Sequence, residues 1–98
     1  VTELHVVATI EAKPEAVDQI RDALKTLVAS SRTEEGCTSY DVYESAAAPG
    51  TFVTVEVWAS QADLDRHLQS PELQQTIAGV SDKLASAPAI HPLQAIAV

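Results

Sequence analysis

Apolar and polar residues alternate with two different periods along this chain, and each change of period marks an element boundary. In LHVVATI, residues 4–10, Leu4, Val6, Ala8 and Ile10 fall on one face of a strand and His5, Val7 and Thr9 on the other. Pro14 suits the first turn of a helix, where its missing N–H costs nothing. Val17, Ile20, Leu24, Leu27 and Val28 then recur at helical spacing, which predicts a helix to about Arg32. Gly36 is placed to end it in a left-handed turn or to start the next element. Residues 38–44, TSYDVYE, and 51–58, TFVTVEVW, read as strands, the second rich in β-branched and aromatic side chains. AAAPG between them is a turn, so these two strands form an antiparallel hairpin.

Ser60 is a helix cap, with Asp63 in a capping-box arrangement. Leu64, His67 and Leu68 share one face of that helix, and Ser70 with Pro71 restarts it. A stripe of Leu73, Ile77, Val80 and Leu84 predicts helix onwards to about Ala85, with Pro88 as a stop. The tail IHPLQAIAV is expected to return as a fourth strand, Pro92 marking an edge. The order β-α-β-β-α-β predicts an α+β, ferredoxin-like fold: a four-stranded antiparallel sheet with helices on one face.

Such a sheet should leave its other face wet and polar, yet the third strand is all valine on one side and mixed on the other. Val53, Val55 and Val57 lie on one side, and Phe52, Thr54, Glu56 and Trp58 on the other. We place the mixed side beneath the helices and the valines against a second copy of the sheet. Burying the three valines contributes roughly 5–8 kcal/mol before association costs. A homodimer packed sheet on sheet is therefore expected, the alternative being valines under the helices and a solvated mixed side.

Length narrows the picture to one domain over residues 1–98. The net charge of −8 comes from six Lys and Arg against fourteen Asp and Glu, with no basic cluster. It argues against nucleic acid and anionic membrane surfaces as partners. No signal peptide or membrane span is expected, and the opening valine is read as the product of processing. The one cysteine, Cys37, fits a reducing compartment, so the expected location is the cytoplasm. Cys37 reads as a small buried residue rather than a nucleophile, since no activating base adjoins it.

The chemistry concentrates in FVTVEVWASQADLDRH. Glu56 stands between two valines, where a carboxylate needs partners or water. His67 stands on the apolar stripe of a helix, where a lone histidine is more often a satisfied core residue than a base. If Glu56 and His67 meet, the acid fixes the tautomer of the imidazole, giving either a structural ion pair or a positioned general base. Trp58 ends the strand as packing or as a flat surface for a planar ligand. Tyr40 and Tyr43 point to opposite faces, so only one of them lines a cavity beneath the helices. There is no glycine-rich phosphate loop, no zinc-spaced Cys or His pair and no GxSxG; His5, His67 and His91 are scattered. No cofactor and no metal is expected.

EEGCTSYDVY followed by FVTVEVWASQADLDRHLQSPEL resembles the antibiotic biosynthesis monooxygenase (ABM) domain family. The shared pattern is E-x-G-C-x-x-Y, a strand with E-x-W, and a helix with a histidine after ALxxH. It falls on Glu34, Gly36, Cys37, Tyr40, Glu56, Trp58, Leu64 and His67, and the opening VVATIEAKPEAVDQIRDAL is similar to the family's first strand and helix. The resemblance implies a dimeric α+β barrel with a cavity between sheet and helices in each subunit. It also implies a cofactor-free monooxygenase acting on a small hydroxylated aromatic of quinol type, whose anion reduces O2 directly. On that basis Trp58 holds the ring, His67 is the base steadied by Glu56, and Thr54, Phe52, Tyr43, Tyr40 and Leu64 bind substrate. Polyketide oxygenases of the family carry an asparagine where this chain has Thr54, which argues against a polyketide anthrone. The haem-degrading branch places its ligand histidine near Ile77, which cannot bind iron. The same fold also hosts an isomerase of a small polar signal molecule and, as a further reading, a non-catalytic binding or stress-response module.

Overall fold

The computed structural model describes residues 3–98; the reading of Val1 lies outside them. Four strands, β1 (Leu4–Glu11), β2 (Cys37–Glu44), β3 (Thr51–Trp58) and β4 (Ala89–Leu93), form one antiparallel sheet in the order β2-β3-β1-β4. Three helices, α1 (Val17–Ser31), α2 (Gln61–Leu68) and α3 (Pro71–Val80), join them. The fold is ferredoxin-like α+β, as the alternating periods predict.

Side-chain alternation decides which face the helices cover. Val6, Ala8 and Ile10 of β1 and Phe52, Thr54, Glu56 and Trp58 of β3 are all buried. Helix α1 lays Ile20, Leu24, Leu27 and Val28 over them. The mixed face of β3 is thus the inner one. Val53 and Val57 are half-buried and Val55 is exposed on the open face.

Two apolar clusters result. One gathers Ala8, Ile10, Ile20, Leu24, Leu27, Phe52 and Leu73; the other gathers Val6, Val28, Tyr40, Trp58 and Leu64. Leu68 and Val42 touch both. The polar residues that matter lie along this seam.

Caps form as the sequence predicts, with one difference. Ser60 and Ser70 accept from the backbone N–H of Asp63 and Leu73. The Asp63 carboxyl, however, accepts from the Ser60 hydroxyl at 2.8 Å instead of reaching back to the Ser60 backbone. The last helix also stops earlier than its stripe implies, at Val80, followed by a single 3-10 turn, Ser81–Lys83. Leu84, at the end of the stripe, is extended and bridges to Ala12. Backbone bonds from Lys13 N–H to Lys83 O and from Ala85 N–H to Glu11 O, at 2.9 and 2.8 Å, stitch this connector to the end of β1. The returning strand is shorter than expected and ends at Leu93.

Candidate functional site

Strand register brings the inner polar residues together. Tyr40 on β2 pairs with Glu56 on β3, which pairs with Val6 on β1. The next row toward the hairpin turn runs from Val42 through Thr54 and Ala8 to Ile90 on β4. Thr54, Glu56 and Trp58 point the same way because strand side chains repeat every second residue. Both flanking residues use that proximity. The Thr54 hydroxyl donates to Glu56 Oε2 at 2.8 Å, and Trp58 Nε1–H donates to Glu56 Oε1 at 3.0 Å. A carboxyl group that would be costly to bury alone is held by one donor on each oxygen.

Helix α2 delivers His67 to this spot, because its Leu64–His67 face packs inward while Asp65 and Arg66 face solvent. The imidazole is 2 % exposed. It stacks on Trp58 with ring centroids 4.5 Å apart and meets Tyr40 edge-on at 5.6 Å. Its Nδ1 lies 3.1 Å from both carboxyl oxygens of Glu34. The expected Glu56–His67 pair is therefore replaced by Glu34–His67, while Glu56 is held by its strand neighbours Thr54 and Trp58 and keeps acceptor capacity on both oxygens. With Glu34 as acceptor, Nδ1 carries the hydrogen, so in the neutral ring the lone pair is on Nε2, an assignment that follows from this bond.

The loop between α1 and β2 sets Glu34. Backbone bonds Thr33 N–H to Ser30 O, Glu34 N–H to Ser31 O and Cys37 N–H to Glu34 O wind it tightly. Arg32 fastens it to β2 through the Tyr40 carbonyl and Asp41, both at 2.9 Å. Gly36 has φ +82°, and a Cβ there would collide with the Asp63 side chain, so glycine is required twice over. Glu34 is 22 % exposed: it stands between the buried imidazole and solvent.

A cavity of about 70 Å3 opens beside these groups. Tyr40, Thr54, Glu56 and His67 form its polar end; Ala8, Ile10, Leu24, Leu27, Leu73 and Ile77 are among its apolar walls. Burial pushes the Tyr40 phenol well above its ordinary range, and Glu56 adds to this, outweighing the opposing influence of Thr54 and Ser31. Tyr40 is therefore a donor at neutral pH, not a phenolate. Ser31 Oγ, although near it, is buried without a hydrogen bond of proper geometry. Cys37 is half-buried, and burial first, then Glu34 and Glu56, raises its thiol, so it is a poor nucleophile.

Of the residues expected to bind substrate, Tyr40 and Thr54 line the cavity. Trp58 does not: it is fully buried behind His67 and supports the imidazole rather than facing a ligand. Phe52 and Leu64 are buried in the two clusters outside the lining. Tyr43 is 60 % exposed on the open face. Glu34 was visible in sequence only as part of a motif, and its spacing of 33 residues from His67 gives no local signal of their pairing. Among the described residues no group of three or more His, Cys, Asp or Glu is placed to hold a metal, and no helix is long and apolar enough to cross a membrane.

Comparison with known proteins agrees with this architecture. The family model described as antibiotic biosynthesis monooxygenase matches residues 4–79. Rv0793 of Mycobacterium tuberculosis, provisionally named a monooxygenase, is 35% identical over 88 residues, 90% of this chain and 86% of its own. Its solved structure superposes with a TM-score of 0.89, covering 99% of this chain and 98% of that one at 32% identity. YcnE of Bacillus subtilis, also provisionally named a monooxygenase, is 35% identical over 81 residues, 83% of this chain and 84% of its own. The protein sll1783 of Synechocystis, described as uncharacterized, is 34% identical over 80 residues, 82% of this chain. This chain spans only about half of that relative, 54% of its length.

Proposed function

Because the chain belongs to the antibiotic biosynthesis monooxygenase family, we propose that it is a monooxygenase that oxidises a small hydroxylated aromatic of quinol type with O2. One observation carries this reading. A histidine lines an otherwise largely apolar cavity while its outer nitrogen is held by a carboxyl group. That is the arrangement of a positioned base in a water-poor site.

A bound ring sets one hydroxyl against His67, whose Nε2 takes the phenolic proton. Glu34 faces the charge that then appears on the imidazole, and the Tyr40 O–H is available to a substrate oxygen. The aromatic anion passes one electron to O2, and the two radicals combine at a ring carbon to form a peroxide. That carbon loses its hydrogen as the O–O bond breaks. One oxygen stays on the ring, and the other leaves as water with the proton returned from His67. Hydroquinone and O2 become hydroxyquinone and water, and the substrate supplies every electron. The apolar walls favour this over an isomerase of a small polar molecule, which would need more hydrogen-bonding partners.

Oxygen uptake with a panel of hydroquinones tests the reading. The expected result is turnover above autoxidation that falls about 100-fold to 10,000-fold in His67→Ala, the usual weight of a general base. Equal uptake by the folded variant contradicts it.

We also propose that two copies pack through the open sheet face, with Val53, Val55 and Val57 at its centre. This would cover the exposed Val55 and the two half-buried valines beside it. A cytoplasmic setting goes with the reading, since Cys37 is a free thiol.

A further inference from the structure

The cavity is polar at its buried end and mostly apolar where it reaches the surface, the one polar side chain there, Thr76, spending its hydroxyl on the Glu72 carbonyl; this is the reverse of a site that draws in a polar solute. Tyr40, Thr54, Glu56 and His67 are all buried. At the other end Val80, Leu84 and Pro88 are half-buried, and Ile90 is 42 % exposed. The floor between them follows one row across the sheet, Thr54 to Ala8 to Ile90. That is two strand spacings, about 10 Å. Ala8 is the smallest side chain in the row and leaves the passage open above it. The outer rim is fixed by the backbone bonds that stitch residues 83–85 to the end of β1.

Volume limits what the cavity holds along its whole length, from Tyr40 to Ile90. On the scale where one water needs about 10–15 Å3, a cavity of about 70 Å3 holds about five to seven waters, or roughly 150–200 Å3 of liquid. An apolar cavity of about 150 Å3 accepts benzene, so one ring fits here and three fused rings do not.

Resting on the oxygenase reading above, we infer that the substrate is a single-ring dihydroxybenzene carrying an unbranched aliphatic chain, with its hydroxyls at Tyr40, Glu56 and His67 and its chain leaving past Ile77 and Val80 to Ile90. The ring meets the donor and acceptor groups at the buried end. The chain covers apolar surface that otherwise faces water at the mouth.

Two measurements separate this inference from the reading it rests on. Alkylresorcinols share the ring and hydroxyls but do not oxidise to quinones, so calorimetric titration with methyl-, butyl- and hexylresorcinol reads the shape of the site alone. Affinity is expected to rise about threefold to fourfold per added methylene until the chain passes Ile90, and then to level off. Affinity that is flat or falls with chain length overturns the inference. Ile77→Trp, which plugs the passage, is expected to cut the gain from methyl to hexyl to under threefold; Val80→Trp provides the same test should the first variant melt early. A full gain in a folded plug variant overturns the proposed route. Oxygen uptake with the matching alkylhydroquinones is the second arm. Chain-dependent resorcinol binding without any such uptake overturns the oxygenase reading and leaves the ligand class standing.

Discussion

At the scale of single residues, the site is built from two sets of partners: Thr54 and Trp58 hold the Glu56 carboxyl group, and Glu34 holds His67 Nδ1. Glu34→Gln keeps an acceptor for His67 Nδ1 but removes the charge that faces the protonated ring. Its expected effect is a loss in kcat of about tenfold to 100-fold, the range seen when a group orienting a functional histidine is removed. Resorcinol affinity should stay within about twofold, which separates positioning from binding. Trp58→Phe keeps a ring against His67 but deprives Glu56 Oε1 of its 3.0 Å donor. Urea unfolding should show a loss of about 1.5–3 kcal/mol, typical of a hydrogen bond to a buried acidic group. Tyr40 makes a prediction about pH. Its phenol is raised in the folded protein, while in the unfolded chain it ionises near pH 10. Above about pH 10 the unfolded state loses this proton first, so the contribution present below that pH declines as pH rises. Tyr40→Phe should flatten this alkaline fall in stability. These partnerships were only partly legible. Strand alternation puts Thr54, Glu56 and Trp58 on one face, and that much is local. Whether the acid turns toward its strand neighbours or toward a helix depends on distances across the core, and local bonding prevails here.

At the scale of elements, period and punctuation locate nearly every boundary, because the strands and helices here bury one regular face each. One exception, the early end of α3, has a physical cause. The stripe Leu73, Ile77, Val80, Leu84 is continuous in sequence, but the chain leaves the helix so that Leu84 can bridge to Ala12. A helical spacing cannot distinguish a fourth helical contact from an extended one. The α1–β2 loop was marked by Gly36, though its task, to place Glu34 against His67, was not visible. Gly36→Ala should cost about 1–3 kcal/mol, since the backbone is left-handed there and the new methyl group meets Asp63. Thermal unfolding checks the stability, and oxygen uptake should fall along with it as the Glu34 loop shifts.

At the scale of the whole molecule, the sheet divides two tasks between its faces: the inner face builds the cavity, and the outer face offers valines. The period of the strand separates Val53, Val55 and Val57 from Phe52, Thr54, Glu56 and Trp58 but leaves open which set faces out; burial of the mixed set puts the valines outside. Val55→Lys sets a charge in the middle of the proposed contact without disturbing the core, because Val55 is already exposed. Sedimentation should show a dimer for the natural chain and a monomer for the variant; a natural chain that is monomeric at micromolar concentration contradicts the packing. The chemistry itself is tested most directly by supplying heavy-isotope dioxygen with an alkylhydroquinone and weighing the promptly reduced product. One heavy oxygen atom in the ring product is the expected result. A product with none, formed at the full rate of oxygen uptake, would mean that electrons reach O2 without oxygen transfer, and the protein would not be a monooxygenase.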